Sequence, residues 1–239
     1  MSKSYERDTK YIHPFIATQL DDILNAIQEQ LPSPFACKLL SAHRTPEDQL
    51  QLFKQGREFK NGVWRIADKS KIVTYKDGYI NLSRHNYLPC TAIDIGIFDN
   101  KGNYQSADKL YRAVAVGKNF GLDWGGDWQT LIDAPHLEIP SPVFFQKNIQ
   151  KDNGYIWQQY LVTAGTYKGV LDGIFGPKSI AALKEATGES ERNIAAWNKL
   201  YEKHGPPEIR NDKLVMIRDD RPRPDPQRPR PIPSPRPRP

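Results

Sequence analysis

Cysteine is nearly absent. The 239 residues hold two, Cys37 and Cys90, too few for a disulfide framework and in no close metal-type pair. Both are read as buried or half-buried free thiols. Long apolar runs are missing as well, and without a stretch of about 18 apolar residues no membrane-spanning helix is expected. Residues Met1 to Lys10 carry basic side chains with no apolar segment behind them. This predicts no secretory signal and a protein made and held in a cytoplasm. Basic charge is scarce outside one short stretch. The formal net charge is +6, but Arg221 to Pro239 hold six Arg and one Asp, leaving +1 for the other 220 residues. The same 19 positions contain nine of the 20 prolines. The sequence pI near 9.2 therefore describes a tail and not a basic folded surface, and it is weak support for a nucleic-acid-binding protein.

What is present is a globular composition, 38% hydrophobic and 26% charged, long enough for one substantial domain plus a smaller one or a tail. Ile16, Leu20, Leu24, Ile27 and Leu31 recur near the helical period and stop at Pro32. Phe35 to Leu40 reads as a buried strand leading into a polar loop. Thr45 is placed to cap a helix with Pro46 at its first position and Glu47 and Asp48 in its first turn, running to Gly56. Val73 to Ile97 reads as strands and turns, with Ala92 to Gly96 the strongest strand. A further helix is expected from Ser106 to Phe120, ended by Gly121. A few helices with short strands outside any βαβ pattern indicate an α+β fold.

Periodicity lapses near Ser141 to Asn153, which suggests a linker. The expected organisation is a domain over 1–142, a linker over 143–153, a small helical domain over 154–207 and an extended or disordered Arg/Pro-rich tail over 208–239. In the helical part Pro177 opens a helix closed by Gly188. Ser190 is read as the cap of a last helix bearing Ile194, Trp197 and Leu200, with Trp197 assigned to packing.

Two histidines stand in settings that a structural role does not easily explain: Ser83-Arg-His85 with Ala92-Ile-Asp94-Ile-Gly96, and Asp133-Ala-Pro-His136-Leu-Glu138. A mononuclear hydrolytic zinc site needs three protein ligands and an open position. It also needs a nearby carboxylate that moves the water's proton without being a ligand. His85, Asp94 and His136 fit the first requirement and Asp133 the second. On spacing alone, hydrogen-bonded histidines and a turn-forming aspartate compete well with this reading.

The wider pattern shifts that balance. Ser83, His85, Ala92, Asp94, Ile95 and Gly96 fit S-x-H…A-x-D-[hydrophobic]-G. Gly125, Gly126, Asp127, Trp128, Asp133, Pro135 and His136 fit G-G-D-W…D-x-P-H. Upstream, Ser41, Arg44, Thr45, Glu47 and Gln49, then Leu52, Phe53, Gln55, Gly56 and Arg57, form a third element, and Thr74 also fits. Three motifs in order over roughly residues 35 to 140 resemble the LAS-type zinc peptidases of cell-wall metabolism, in particular the L-alanyl-D-glutamate peptidases that serve as phage endolysins.

The resemblance implies an α+β zinc peptidase fold in which His85, Asp94 and His136 bind Zn²⁺ and Asp133 is general base and then acid. Arg44 would stabilise the oxyanion or anchor a substrate carboxylate, and Ser83 would support the site. His43, beside Arg44, is a rival ligand assigned a structural role. The pattern departs in one place: His85 and Asp94 lie nine positions apart, where the family commonly has seven with an intervening Gly. This leaves Cys90 as a possible substitute ligand. The Asp-x-Pro-His form points to the endopeptidase branch over the D-Ala-D-Ala carboxypeptidases.

Asp172, Gly173, Phe175, Gly176 and Ser179, with Gln158, Gln159, Leu161, Gly165, Tyr167 and Leu183, resemble an all-α, three-helix peptidoglycan-binding domain. The whole then implies an endolysin, a monomer resident in the host cytoplasm until lysis and acting on peptidoglycan. Its tail is expected to contact anionic envelope polymers, and nucleic acid is not expected as a partner. A catalytically inactive wall-binding virion protein is the alternative from another class.

Overall fold

The computed structural model describes residues 8–140 and 153–207. Most of the expected linker and the whole Arg/Pro-rich segment lie outside the described residues.

The centre of the larger half is an antiparallel sheet in the order β1 (Ala36–Ser41), β4 (Ala92–Phe98), β7 (His136–Glu138) and β6 (Asp123–Trp124), with β5 (Tyr104–Gln105) also paired to β4. Side chains alternate across a strand, and β4 uses this fully. Ile93, Ile95 and Ile97 point into the core with no exposed surface, leaving Ala92, Asp94 and Gly96 on the opposite face. The helix Leu20–Gln30 lays Leu20, Ile23 and Ile27 on the core face of the sheet. The first expected helix is broken in two: a four-residue turn, Pro14–Ala17, precedes Leu20–Gln30, and Gln19 sits between them out of helical conformation. No membrane-crossing helix occurs among the described residues.

Pro46–Phe53 forms the expected helix, and the Thr45 hydroxyl accepts from Asp48 N at 3.2 Å. Other expectations need correction. The segment expected as one helix over 106–120 is a single α-turn, Asp108–Tyr111, followed by 3₁₀ structure from Arg112 to Phe120, closed by Gly121 at φ +78°. Of the strands expected between Val73 and Ile97, only β4 is formed. A hairpin of β2 (Arg57–Lys60) and β3 (Val63–Ile66) forms outside the expected strands. Its turn is Asn61-Gly62 with both residues at positive φ, the pair that matches the twist of two-residue hairpins.

The second half holds three helices, Gly154–Thr163, Pro177–Thr187 and Ile194–His204. Trp197 is wholly buried and meets Trp157 and Tyr160 edge-on, each at 5.1 Å between ring centroids. The last helix is capped by Asn193, whose side chain accepts from Ala196 N at 2.8 Å. Ser190 lies three residues too early to reach a first-turn amide.

The two halves share a boundary. Trp197 Nε1 donates to Lys10 O at 2.8 Å, Tyr11 Oη to Asn198 Oδ1 at 3.0 Å and Trp157 Nε1 to Leu88 O at 2.7 Å. Asn153 Nδ2 donates to Pro89 O. Tyr11 and Leu88 are packed within the aromatic cluster of the helices.

Candidate active site

Strand register assembles the site. Asp94 of β4 stands directly opposite His136 of β7 and opposite Ser41 of β1, so three polar residues lie side by side on the face that the core isoleucines leave free. Directly paired residues in an antiparallel sheet hold their Cβ atoms about 4.5–5.5 Å apart, close enough for their functional atoms to converge. His85 comes from a short 3₁₀ turn, Arg84–Asn86. Ser83 Oγ caps it by accepting from His85 N at 3.4 Å, and Asn86 Oδ1 accepts from Ser83 N at 2.8 Å.

The three donors meet. His85 Nε2 lies 3.2 Å from Asp94 Oδ1 and 3.2 Å from His136 Nδ1, and His136 Nδ1 is 3.0 Å from Asp94 Oδ1. Ligands around a tetrahedral ion with bonds of about 2.0–2.1 Å lie roughly 3.3 Å apart, so these atoms are spaced as three ligands of one ion. The other nitrogen of each ring is already engaged. His85 Nδ1 is 2.6 Å from Ala42 O, and His136 Nε2 is 3.1 Å from Glu138 Oε2. Those contacts select the tautomers that leave His85 Nε2 and His136 Nδ1 bare for a metal. Two imidazole nitrogens and one carboxylate oxygen, all shielded, fit a divalent transition metal. Among the described residues this is the group suited to holding one.

The electrostatics agree. Burial alone would lower the His136 pKa, but hydrogen bonds to Asp94 and Glu138 outweigh it and push it up to about 10. The two carboxylates thus favour positive charge at His136, either as its own second proton or as a cation bound in that proton's place. Burial would raise Asp94, yet His85, His136 and Arg44 together hold it well below the usual carboxylate range. Asp133 is pushed up to about 6 by burial, reinforced by the charge of Asp94.

The turn carrying Asp133 and His136 is held by backbone and indole contacts. His136 N donates to Asp133 O at 3.1 Å, Asp133 N to Gly125 O at 3.1 Å and Trp124 Nε1 to Ala134 O at 2.8 Å. Gly125 is required by close approach, since a Cβ there would fall 2.4 Å from Asp133 O.

Arg44 is more committed than its sequence suggests. Its guanidinium donates to Asp94 Oδ2 at 2.9 Å, Gln49 Oε1 at 2.9 Å and Ser41 Oγ at 3.2 Å, while still lining the cleft. This contact locks the second oxygen of Asp94 and leaves the first for the metal. Neither rival ligand joins the group. Cys90 is fully buried, its Sγ is 3.4 Å from Ala92 O, and burial pushes its thiol up to about 12. His43 is buried against Tyr11, where burial lowers it to about 4.

Sequence reasoning gave no role to Glu138, which fixes His136 and is itself 3.7 Å from Arg84 Nε. Strand alternation was the available signal, because Glu138 is two residues from His136 and shares its face. The extra residues between His85 and Asp94 also have a place. Leu88 and Pro89 carry the carbonyls that receive Trp157 and Asn153, so the lengthened turn is where the helical half attaches.

The site opens into a cleft of about 1180 Å³ whose lining includes Arg44, Ser83, His85, Asp94, Asp133 and His136.

Residues 77–139 match the family described as D-alanyl-D-alanine carboxypeptidase. The chain is 28% identical over 138 residues to the peptidoglycan L-alanyl-D-glutamate endopeptidase CwlK of Bacillus subtilis, covering 54% of this chain and 73% of that protein. It is 47% identical over 38 residues to the L-alanyl-D-glutamate peptidase of Listeria phage A118, covering 16% of this chain and 13% of that one. The Serratia marcescens L-Ala D-Glu endopeptidase ChiX aligns with a TM-score of 0.35 and 19% identity over 59% of this chain and 89% of its own.

Proposed function

We propose that this chain, whose residues 77–139 match the family described as D-alanyl-D-alanine carboxypeptidase, is a zinc-dependent L-alanyl-D-glutamate endopeptidase that cuts peptidoglycan stem peptides and serves as a phage-type endolysin. The observation that carries this reading is the convergence of His85 Nε2, Asp94 Oδ1 and His136 Nδ1 at the floor of an open cleft that Asp133 also lines. CwlK and the phage A118 protein, both named for the L-alanyl-D-glutamate bond, support that bond over the D-Ala-D-Ala link.

His85, Asp94 and His136 would hold Zn²⁺, which when bound supplies a Lewis acid for the scissile carbonyl and acidifies a water toward neutrality. The protein's own part is proton movement and positioning. Asp133, poised near 6, takes the proton of the attacking water and later delivers it to the amine of D-glutamate as the carbon–nitrogen bond breaks. Arg44 keeps Asp94 ionised and oriented and turns permanent charge toward the substrate. Ser83 fixes the turn that presents His85. The helical half is proposed to favour residence on murein, where even weak attachment raises effective concentration. Residence in the host cytoplasm before lysis belongs to the same proposal.

Digestion of purified sacculi by the zinc-loaded chain tests this. The expected products carry a free amine on D-glutamate and a free carboxyl on L-alanine, and they disappear with a chelator and return with zinc. Release of free D-alanine would favour the carboxypeptidase alternative. Binding to sacculi with no soluble product would favour the inactive wall-binding protein.

A further inference from the structure

The loop Asp172–Ser179, whose residues suggested a wall-binding motif, is aimed at the catalytic cleft. Gly173, Ile174 and Phe175 line the same cavity as Asp94, Asp133 and His136. The loop is held by a buried hub. Gln158 is fully buried, its Oε1 accepts from Gly173 N at 2.7 Å, and its Nε2 lies 2.9 Å from Asp172 Oδ1 and 3.1 Å from Ile174 O. Asp172 Oδ1 in turn accepts from Ile174 N at 2.9 Å. Phe175 is clamped between Trp157, 6.5 Å away edge-on, and the Arg192 guanidinium, 4.7 Å from its ring centre. One apolar side chain is left without cover: Ile174 is 66% exposed. A backbone this constrained presenting a bare isoleucine to a catalytic cleft is a fixed contact surface.

The attachment of the helical half gives the loop its position. The contacts from Trp157 and Asn153 fall on Leu88 and Pro89, in the turn that follows the metal-site residue His85. Helices and catalytic floor are thereby tied to one segment.

We propose that Ile174 and Phe175 form one wall of the stem-peptide site, so that the helical half is part of the peptidase's substrate cleft as well as any anchor to the wall. The occupant is the stem peptide flanking the scissile bond, because the surface is continuous with the groups that would act on that bond. Its alanyl methyl and aliphatic methylenes are the groups that Ile174 would shield from water. The inference rests on the endopeptidase reading for the identity of the peptide.

The test uses a soluble N-acetylmuramoyl tetrapeptide, which a wall anchor cannot help to retain, and the zinc-loaded 239-residue chain with Ile174→Asp. That side chain is exposed, so the fold and zinc content should be unchanged. KM for the soluble peptide is expected to rise about five-fold or more with kcat within about two-fold, and Ile174→Val should restore it. Unchanged KM would overturn the proposal, whatever happens on sacculi. Calorimetric binding of the same peptide separates this result from the chemistry. If the wild type binds without cutting L-Ala–D-Glu, the endopeptidase reading fails, and weaker binding by Ile174→Asp still supports the wall while equal binding refutes it. A wild type that neither binds nor cuts the peptide overturns both.

Discussion

The sheet half of the molecule buries ions and the helical half buries rings. Below the cleft, Arg44, Asp94, His85, His136, Glu138 and Arg84 form a continuous chain of charged or chargeable contacts. Across the boundary Trp157, Tyr160 and Trp197 fill a core with hardly a charge in it. Buried ion pairs contribute little to net stability, because desolvation offsets most of the attraction, but removing one partner strands the other. Buried aromatic rings do the opposite, giving large favourable burial with no chemistry attached. The first half is therefore organised to bind and react, the second to hold shape.

The contrast predicts where damage should appear. Asp133→Ala should lower kcat about 10²- to 10⁴-fold on stem peptide while zinc content and melting temperature stay as in the wild type; normal turnover would remove the proton-transfer role. Trp197→Ala should cost about 3–5 kcal/mol. Because its indole also bonds to Lys10 O, chemical unfolding should show the peptidase half destabilised with the helices in a single transition. Two separate transitions, with the peptidase half unchanged, would break the picture of a shared boundary.

A smaller effect is expected at Glu138→Gln, which loosens the orientation of His136. Zinc affinity should fall about 10- to 100-fold, read by competition with a chromogenic chelator, and an unchanged affinity would reduce Glu138 to a partner of Arg84.

The smallest effect concerns acid. His13 is buried and lowered by that burial to about 4, with its Nδ1 accepting from Phe15 N at 3.2 Å. A histidine whose folded pKa is depressed contributes stability that is complete above its unfolded value near 6.5 and is lost as pH falls toward 4. The loss should be on the order of 1–2 kcal/mol by pH 5. His13→Asn keeps a capping acceptor and should flatten part of that slope in thermal melts; His43, shifted in the same direction, retains the rest. A slope identical to the wild type would show that His13 is not held neutral.

Much of the floor was legible in the sequence because its signals are local. Thr45-Pro46 caps a helix wherever it is placed, and Ala92-Ile-Asp94-Ile-Gly96 alternates as a half-polar strand must. The pairing that sets Asp94 opposite His136 was not legible, since register between segments about forty residues apart is a tertiary fact. Glu138 and the Asn61-Gly62 hairpin were within reach of strand alternation and turn chemistry. Asn193 was also readable, as the residue immediately before the apolar Ile194. The cleft wall at Ile174 was beyond reach. Asp172 to Ser179 reads as a loop opening onto a helix, and nothing local says that Gln158 pins it or that the lengthened turn at Leu88-Pro89 brings it beside the floor.

The central claim is that this floor is a metal-dependent peptidase centre for the L-Ala–D-Glu bond. Mass spectrometry of sacculi digested by the zinc-loaded chain tests it most directly. The account predicts fragments ending in L-alanine and beginning with D-glutamate, lost in Asp133→Ala and in chelator. Fragments cut at any other bond, or the same fragments persisting after zinc is removed, would contradict it.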